Sequence, residues 1–441
     1  MAAKVRETGI AAIGAIPVSW KLERLNNVAE LFGRIGWQGL TSDEYTDEGA
    51  YLVTGTDFRD GYIDWSSCVH VSEDRWEEAW QIKLQEGDLL ISKDGTIGKL
   101  AIVSDLPGHA SLNSGLMRIV PRSNGYITKY LYYVLQTDVF YDWYREIDAG
   151  ASTIKHLFQG DFIHFVYPSP PIEEQEAIAE ELDKRTKELD HAINLVSRQL
   201  ETLDGYRKSL IQETVTKGLD LTVDMKPSGY EYLGSIPSTW GMSPLLYLGE
   251  MQNGISKDGD SFGSGYPFVS YGDVYRNVFL PRAVEGLVES NSEERYRYSV
   301  KKNDAFFTRT SETIDEIGFA SVCLESIENA TFAGFLIRFR PNTCKLNMRF
   351  AAYYFRSENL RAYFAREMVS VTRASLSQNL LGRLVVPLPP LDEQERIANY
   401  LDSKYSVVDR LIAGKRKQLE TLRAQRQSLI YEYVTGKRRV V

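Results

Sequence analysis

The 441-residue chain is poor in the groups that build disulfides, metal sites and imidazole chemistry. Its 3 cysteines, Cys68, Cys323 and Cys344, are odd in number, widely spaced and free of any CxxC pair. That argues against both a disulfide framework and a zinc site, and points to reduced, buried thiols. The 5 histidines, His70, His109, His156, His164 and His191, do not fall at metal or catalytic-triad spacing. Long apolar runs are missing too: no stretch approaches the length of a membrane span, and the charged segment Met1 to Thr8 has no apolar region behind it. The expected home is the cytoplasm, with no membrane partner. Nor is there an excess of positive charge. A net charge of −9 does not advertise a nucleic-acid binder, although local charge on a contact face matters more than the total.

What the chain does have is repetition. Ser169-Pro170-Pro171-Ile172-Glu173-Glu174-Gln175 returns as Leu388-Pro389-Pro390-Leu391-Asp392-Glu393-Gln394, displaced by 219 positions. Gln199-Leu200-Glu201-Thr202-Leu203 returns as Gln418-Leu419-Glu420-Thr421-Leu422 at the same displacement. Upstream, Gly14-Ala15-Ile16-Pro17-Val18-Ser19-Trp20 returns as Gly234-Ser235-Ile236-Pro237-Ser238-Thr239-Trp240, displaced by 220. The chain is a tandem duplication. Composition, at 43% hydrophobic and 25% charged, is that of soluble globular material with several cores.

Within each copy the pattern changes at the double proline. Before it, Tyr51 to Thr54, Asp88 to Ser92, Leu100 to Val103 and Leu116 to Val120 read as strands between turn clusters, followed by a helix over Lys129 to Tyr144 whose partner is Arg349 to Arg366. After it, one long helix is expected, because Pro171 suits the first helical position, Glu173 and Glu174 suit the first turn, and no proline interrupts before Gly218. Leu182, Leu189, Ile193, Val196, Leu200, Leu203 and Leu210 form a heptad seam, and Leu401, Val408, Ile412, Leu419, Leu422 and Leu429 repeat it. The expected fold is mixed α+β: globular domains over 1–168 and 219–387, long helices over 169–218 and 388–437. Paired antiparallel, those helices would hold the domains apart about a pseudo-twofold, which suits a polymer with its own dyads such as duplex DNA.

The Pro-Pro-x-x-Glu-Gln-x-x-Ile-Ala-x-x-Leu-Asp segment of both copies, the Gly-x-Ile-Pro-x-x-Trp segment that opens each domain, and Gln-Leu-Glu-Thr-Leu along each helix resemble the specificity subunit of type I restriction-modification systems. The resemblance spans essentially the whole chain. It implies that each globular domain is a target recognition domain reading one half of a bipartite site in double-stranded DNA, and that the helices set the spacer. It further implies docking of two adenine methyltransferase subunits, and a motor nuclease subunit in the restricting complex of a prokaryotic cell. S-adenosylmethionine, ATP and Mg would then belong to those partners, with no cofactor in this chain. The helices match closely between copies while the domain interiors diverge, so the two half-sites are expected to differ.

Polar loops beside strands are the default place for recognition on a rigid scaffold. The loop 92–99 offers Lys93, Thr96 and Lys99 with two permissive glycines, and its counterpart offers Arg309, Thr310 and Ser311. The loop 150–156 carries Ser152 and Lys155, against Thr372, Arg373, Ser375 and Gln378 in the second copy. The loop 54–60 adds Thr56 and Arg59. Arg, Lys, Gln and Asn of this kind can read base edges, while the blander alternatives are a solvated hairpin, a helix cap and a turn.

Signals for catalysis are weak. Gly95-Thr96-Ile97-Gly98-Lys99 is too short for a phosphate-cradling loop, Phe262-Gly263-Ser264-Gly265 is only a faint likeness to a methyltransferase loop, and the double prolines are better read as helix starts. The chain is therefore expected to be non-enzymatic. Rival readings are an adaptor that spaces two protein-binding domains without touching DNA, and a divergent methyltransferase or nuclease with its own cofactor pocket.

Overall fold

The computed structural model describes residues 4–34, 40–78, 80–123, 125–148, 155–310, 317–367 and 375–440. The chain divides into two compact units, Met1–Ser197 with Lys417–Val441, and Arg198–Arg416. Each unit thus holds one globular domain, the start of the long helix that follows it, and the end of the other long helix.

In the first unit, Leu89–Ser92 lies inside a six-stranded sheet between Leu116–Pro121 and Leu100–Ile102, both antiparallel to it. Ala29–Gly33 closes one side, and the Phe58–Arg59/Tyr62–Ile63 hairpin the other. A second sheet runs in the order Ala110–Leu112, Ala50–Val53, Val69–Val71, Tyr45–Thr46. The near-continuous apolar sequence of Leu89–Ser92 follows from burial on both faces. Leu89 and Ile91 pack into a core shared with helices, whereas Leu90 points the other way into a core shared with the second sheet. The second unit repeats this alternation, with Ala305 and Phe307 on one face and Phe306 on the other. Its sheet order, Gly249–Asn253, Leu336–Pro341, Ala305–Thr308, Ala320–Val322, matches the first four strands of its counterpart.

The helix expected over Lys129 to Tyr144 is two helices, Thr128–Val134 and Asp138–Asp148, and its counterpart is likewise split into Met348–Tyr354 and Glu358–Glu367. The break falls at Thr137 and Ser357. Their buried hydroxyls donate back to the carbonyls of Val134 and Tyr354, each at 2.7 Å, and offer the backbone an alternative to continuing the helix.

The long helices span Ile172–Lys217 and Leu391–Val434, each beginning directly after its double proline. The repeated motifs meet at these starts. The Trp20 indole donates to Glu174 at 3.0 Å, and Trp240 to Glu393 at 3.1 Å. One residue on, the Gln175 carbonyl accepts from the Ile127 backbone N–H at 3.0 Å while its amide donates to Pro170 O at 3.0 Å. Gln394 accepts from Asn347 N–H at 2.7 Å and donates to Lys345 O and Pro389 O, both at 2.9 Å. The far ends of the helices arrive at the same places. Gly436, at φ 73°, ends the second helix so close to the first domain that a Cβ would lie 2.4 Å from the Pro17 ring, and Gly218, at φ 79°, ends the first helix with Trp240 and Glu393 as its neighbours.

Within the first unit, Leu182 shares a core with Ile430, Tyr433 and Val434, so the start of one helix runs against the end of the other. Arg426 reinforces this by donating to Asp190 at 2.6 Å. Within the second unit, Ile211 and Val215 share a core with Ile397, Ala398 and Leu401, and Arg207 pairs with Asp409 at 3.2 Å. None of the seam residues is exposed, and Leu182, Val196, Leu401, Val408 and Ile412 are buried. Among the described residues, no helix is long and apolar enough to cross a membrane.

Gln394→Ala strips the partner from a helix-starting N–H and from two carbonyls. It should cost about 1–3 kcal/mol, read as a lowered midpoint of thermal or urea unfolding. Gln394→Glu keeps the acceptor for Asn347 N–H but sets a buried carboxylate oxygen against Lys345 O and Pro389 O, and should lose at least as much.

Candidate nucleic-acid interface

Two of the loops singled out in the first copy, 54–60 and 92–99, meet at one end of the sheet, and the described end of the third joins them at His156. Ser92, the buried last residue of its strand, pins the 92–99 hairpin: its hydroxyl donates to Thr96 O at 2.6 Å and accepts from Lys99 N–H at 2.8 Å. Gly95 and Gly98 turn the chain with φ of 67° and 83°. A strand, Leu100–Ile102, follows this hairpin where a phosphate-cradling loop would be followed by a helix. Phe262-Gly263-Ser264-Gly265 is likewise part of a strand, Phe262–Val269, with a register shift along it.

Lys93 extends its strand by one step beyond the sheet. Its N–H donates to Gly115 O at 2.8 Å and its carbonyl accepts from Leu157 N–H at 2.9 Å, which ties the end of the 150–156 loop to the hairpin. A bridge between Asp94 and His156 and a hydrogen bond between their side chains complete that junction. The loop 54–60 comes in from the other side. Asp57, buried, accepts from Thr54 N–H at 2.7 Å and Thr54 Oγ1 at 2.9 Å, and the Lys99 ammonium lies 3.5 Å from Gly55 O. A recess of about 330 Å³ between the loops is lined by Thr54, Thr56, Asp94, Thr96, Lys99 and Asn113. Arg59 is exposed and donates to Thr56 O at 2.7 Å. Lys155 is exposed beside His156, 3.9 Å from Asp148.

The second unit builds the same junction from different side chains. Thr308 stands for Ser92, its hydroxyl accepting from Phe319 N–H at 2.9 Å. Arg309 stands for Lys93: its N–H donates to Phe335 O at 2.9 Å, and its carbonyl accepts from Leu376 N–H at 2.7 Å. Thr310 bridges to Ser375, and Gln378 donates to Asn253 at 2.9 Å. The counterpart of the 54–60 turn goes another way. Ser270 and Asp273 make the hydrogen bonds that Thr54 and Asp57 make, but here they cap a helix, Tyr271–Arg276. In the first unit the chain instead enters a hairpin whose Asp60 and Gly61 both take positive φ, 49° and 84°. Ser152, Ser311, Thr372 and Arg373 lie outside the described residues.

Lys93 and Arg309 are both half-buried, and among the described residues neither takes part in an ion pair. The buried Nε of Arg309 has no hydrogen-bond partner among them. Sequence reasoning already sets these two loops against each other; what it missed is Asn113, Asn253 and the aromatic neighbours Phe158 and Phe335, which the backbone pairing across the sheet end brings to the junction.

Away from the junction, Cys68 and Cys323 are buried, and burial pushes both thiols up to about 12, so they stay protonated. Cys344, expected to be buried, is exposed. On the long helices, Tyr433 is buried in the first unit's core, Tyr431 packs against that core and Tyr206 is exposed. Among the described residues, no group of three or more His, Cys, Asp or Glu could hold a metal ion. Ser92→Ala should cost about 1–3 kcal/mol and speed hydrogen exchange at the Lys99 amide before that of the sheet core.

The family model for the type I restriction modification DNA specificity domain matches twice, over residues 17–196 and 237–421. Similar curated proteins include the type I restriction enzyme MjaVIII specificity subunit of Methanocaldococcus jannaschii, 23% identical over 96% of this chain and 94% of that protein. The type I restriction enzyme EcoBI specificity subunit of Escherichia coli is 21% identical over 98% of this chain and 88% of that protein. A solved structure described as the structural basis underlying complex assembly and conformational transition of the type I R-M system shares the fold, with a TM-score of 0.66, 16% identity and coverage of 96% and 99% of the two chains. With both repeats matched and the two Trp–Glu junctions formed, the chain belongs to the type I restriction-modification DNA specificity family.

Proposed function

We propose that this chain is the DNA-reading subunit of a type I restriction-modification complex, in which each unit recognises one half of an asymmetric, split site in duplex DNA. The observation that carries this reading is the repeated junction: one backbone arrangement in both units, ending in a cation, Lys93 or Arg309, without an ion-pair partner among the described residues, and surrounded by side chains that differ between the units. A constant frame with variable polar groups suits two different half-sites, with cations on phosphates and Asn, Gln, Ser and Thr on base edges. The long helices set the spacing between half-sites and dock methyltransferase subunits, two of them if the duplication is used symmetrically. A motor nuclease subunit joins in restriction. The chain contributes recognition and no bond-breaking step, so S-adenosylmethionine, ATP and Mg are bound by its partners, all in the cytoplasm of a prokaryotic cell.

The direct test is the adenine-methylation pattern of DNA from cells that co-express this chain with its methyltransferase, against cells with the methyltransferase alone. A split, asymmetric motif that depends on the chain is expected; an assembled pair that methylates no new motif overturns the reading in favour of an adaptor. Exchanging residues 1–168 for a relative's domain should change one half-site and leave the other and the spacer intact. In binding assays, Lys93→Ala and Arg309→Ala should each weaken DNA binding and reduce the salt slope by about one, without lowering the unfolding midpoint.

A further inference from the structure

Two of the more exposed large apolar side chains in the protein stand at the junctions just described. Phe158, 58% exposed, follows Leu157, the residue that bonds to Lys93, and its ring lies 4.3 Å from that of His156. Phe335, 64% exposed, supplies the carbonyl that holds Arg309 N–H. They are not copies of each other. By the backbone pairing, Phe158 occupies the place of Ser377, and Phe335 the place of Gly115. After duplication, each unit has therefore arrived by its own route at an exposed phenyl ring at the junction, whose strand-tip cation has no carboxylate partner among the described residues. An exposed phenyl ring at a polar loop junction gains little from folding, since most of its surface stays in water.

We infer that Phe158 and Phe335 are apolar wedges, each pressed between neighbouring base pairs of its half-site while Lys93 or Arg309 holds the adjoining phosphate. This inference rests on the reading of each unit as a half-site reader. Wedging of this kind unstacks a base step and favours sequences that deform easily, pyrimidine–purine steps above all. Part of each half-site's specificity then comes from stiffness at a step that no hydrogen bond reads.

The test uses the full chain in complex with its methyltransferase, without S-adenosylmethionine, on duplexes that carry its methylated motif. 2-Aminopurine is placed in turn at half-site positions other than the methylated adenine. The wild-type complex should raise fluorescence at one step in each half-site. Phe335→Ala should abolish the rise in one half-site only and Phe158→Ala in the other only, each weakening binding on the order of tenfold. Phe335→Trp should retain the rise, and all variants should keep the wild-type unfolding midpoint because the rings are exposed. Unchanged fluorescence and affinity in both alanine variants would overturn the inference, as would a loss of methyltransferase assembly in place of DNA binding. A wild-type complex that binds and methylates a split motif with no fluorescence rise sinks the wedge and spares the half-site reading; absence of any split motif sinks the half-site reading itself.

Discussion

The indole of an opening tryptophan, donating to a glutamate in the first turn of a long helix, is the contact around which each unit is assembled. Trp20 with Glu174 and Trp240 with Glu393 connect residues more than 150 positions apart, and in each case the indole is fully buried. The glutamate serves two donors at once: the indole N–H and the partial positive charge at the helix start. The glutamine that follows it fastens the same helix start to the N-terminus of a domain helix, through Ile127 N–H or Asn347 N–H. Because the other long helix ends against the same tryptophan, at Gly436 or Gly218, one small cluster fixes where both helices meet the domain. The motif residues are constrained by geometry. Alanine at the terminal glycines would collide with Pro17 or crowd Trp240, and a shorter acid at Glu174 would draw the carboxylate back from the indole.

Duplication turns the molecule into its own comparison. Backbone pairings at the sheet end are retained between units, as are the hydroxyl that pins the hairpin and the pairing of each long helix with the other's end. What changes is the dressing of that frame: lysine for arginine at the strand tip, a His156–Asp94 pair for Ser375 and Thr310, a turn for a helix after the Thr54 or Ser270 cap. Ion pairs shift as well. Asp88 is matched by Arg118 one strand away, while its counterpart Asp304 is held by Arg340, two residues beyond the position of Arg118. Both carboxylates are buried, so each keeps a guanidinium even where the supplier has changed.

The duplication, the helix starts, the seam and the central strands were all legible in the sequence, because each is written in local periodicity or in an exact repeat. The break at Thr137 was not, since a hydroxyl that bonds back to its own helix leaves the apolar spacing of Tyr130, Leu131, Val134 and Val139 nearly undisturbed. Of the candidate-site residues, Lys93, Thr96, Lys99, Thr56, Arg309 and Ser375 could be singled out in the sequence because hydroxyls, cations and glycines cluster visibly there. That loops forty to sixty residues apart meet at one strand tip depends on sheet register, which no single loop encodes. Phe158 and Phe335 escaped for a related reason: an isolated phenylalanine reads as core until the structure shows it outside.

An acidic chain that reads DNA needs its negative charge kept away from the contact face, and in both units several carboxylates are already engaged. Asp57 is buried under the donors of its own turn, Asp94 is paired with His156, and Asp88 and Asp304 face guanidinium groups inside the sheet. Many of the remaining carboxylates lie along the long helices, where Glu181, Asp190, Asp402 and Asp409 pair with Arg185, Arg426, Arg349 and Arg207. Lys93, Lys99 and Arg309, in contrast, have no carboxylate partner among the described residues. Fields from exposed charges beyond about a Debye length of 8–10 Å are screened at physiological salt, so a phosphate at the strand tip responds to these local cations far more than to the total of −9. On the half-site reading proposed above, discrimination then falls to the few groups that the frame presents at the strand tips.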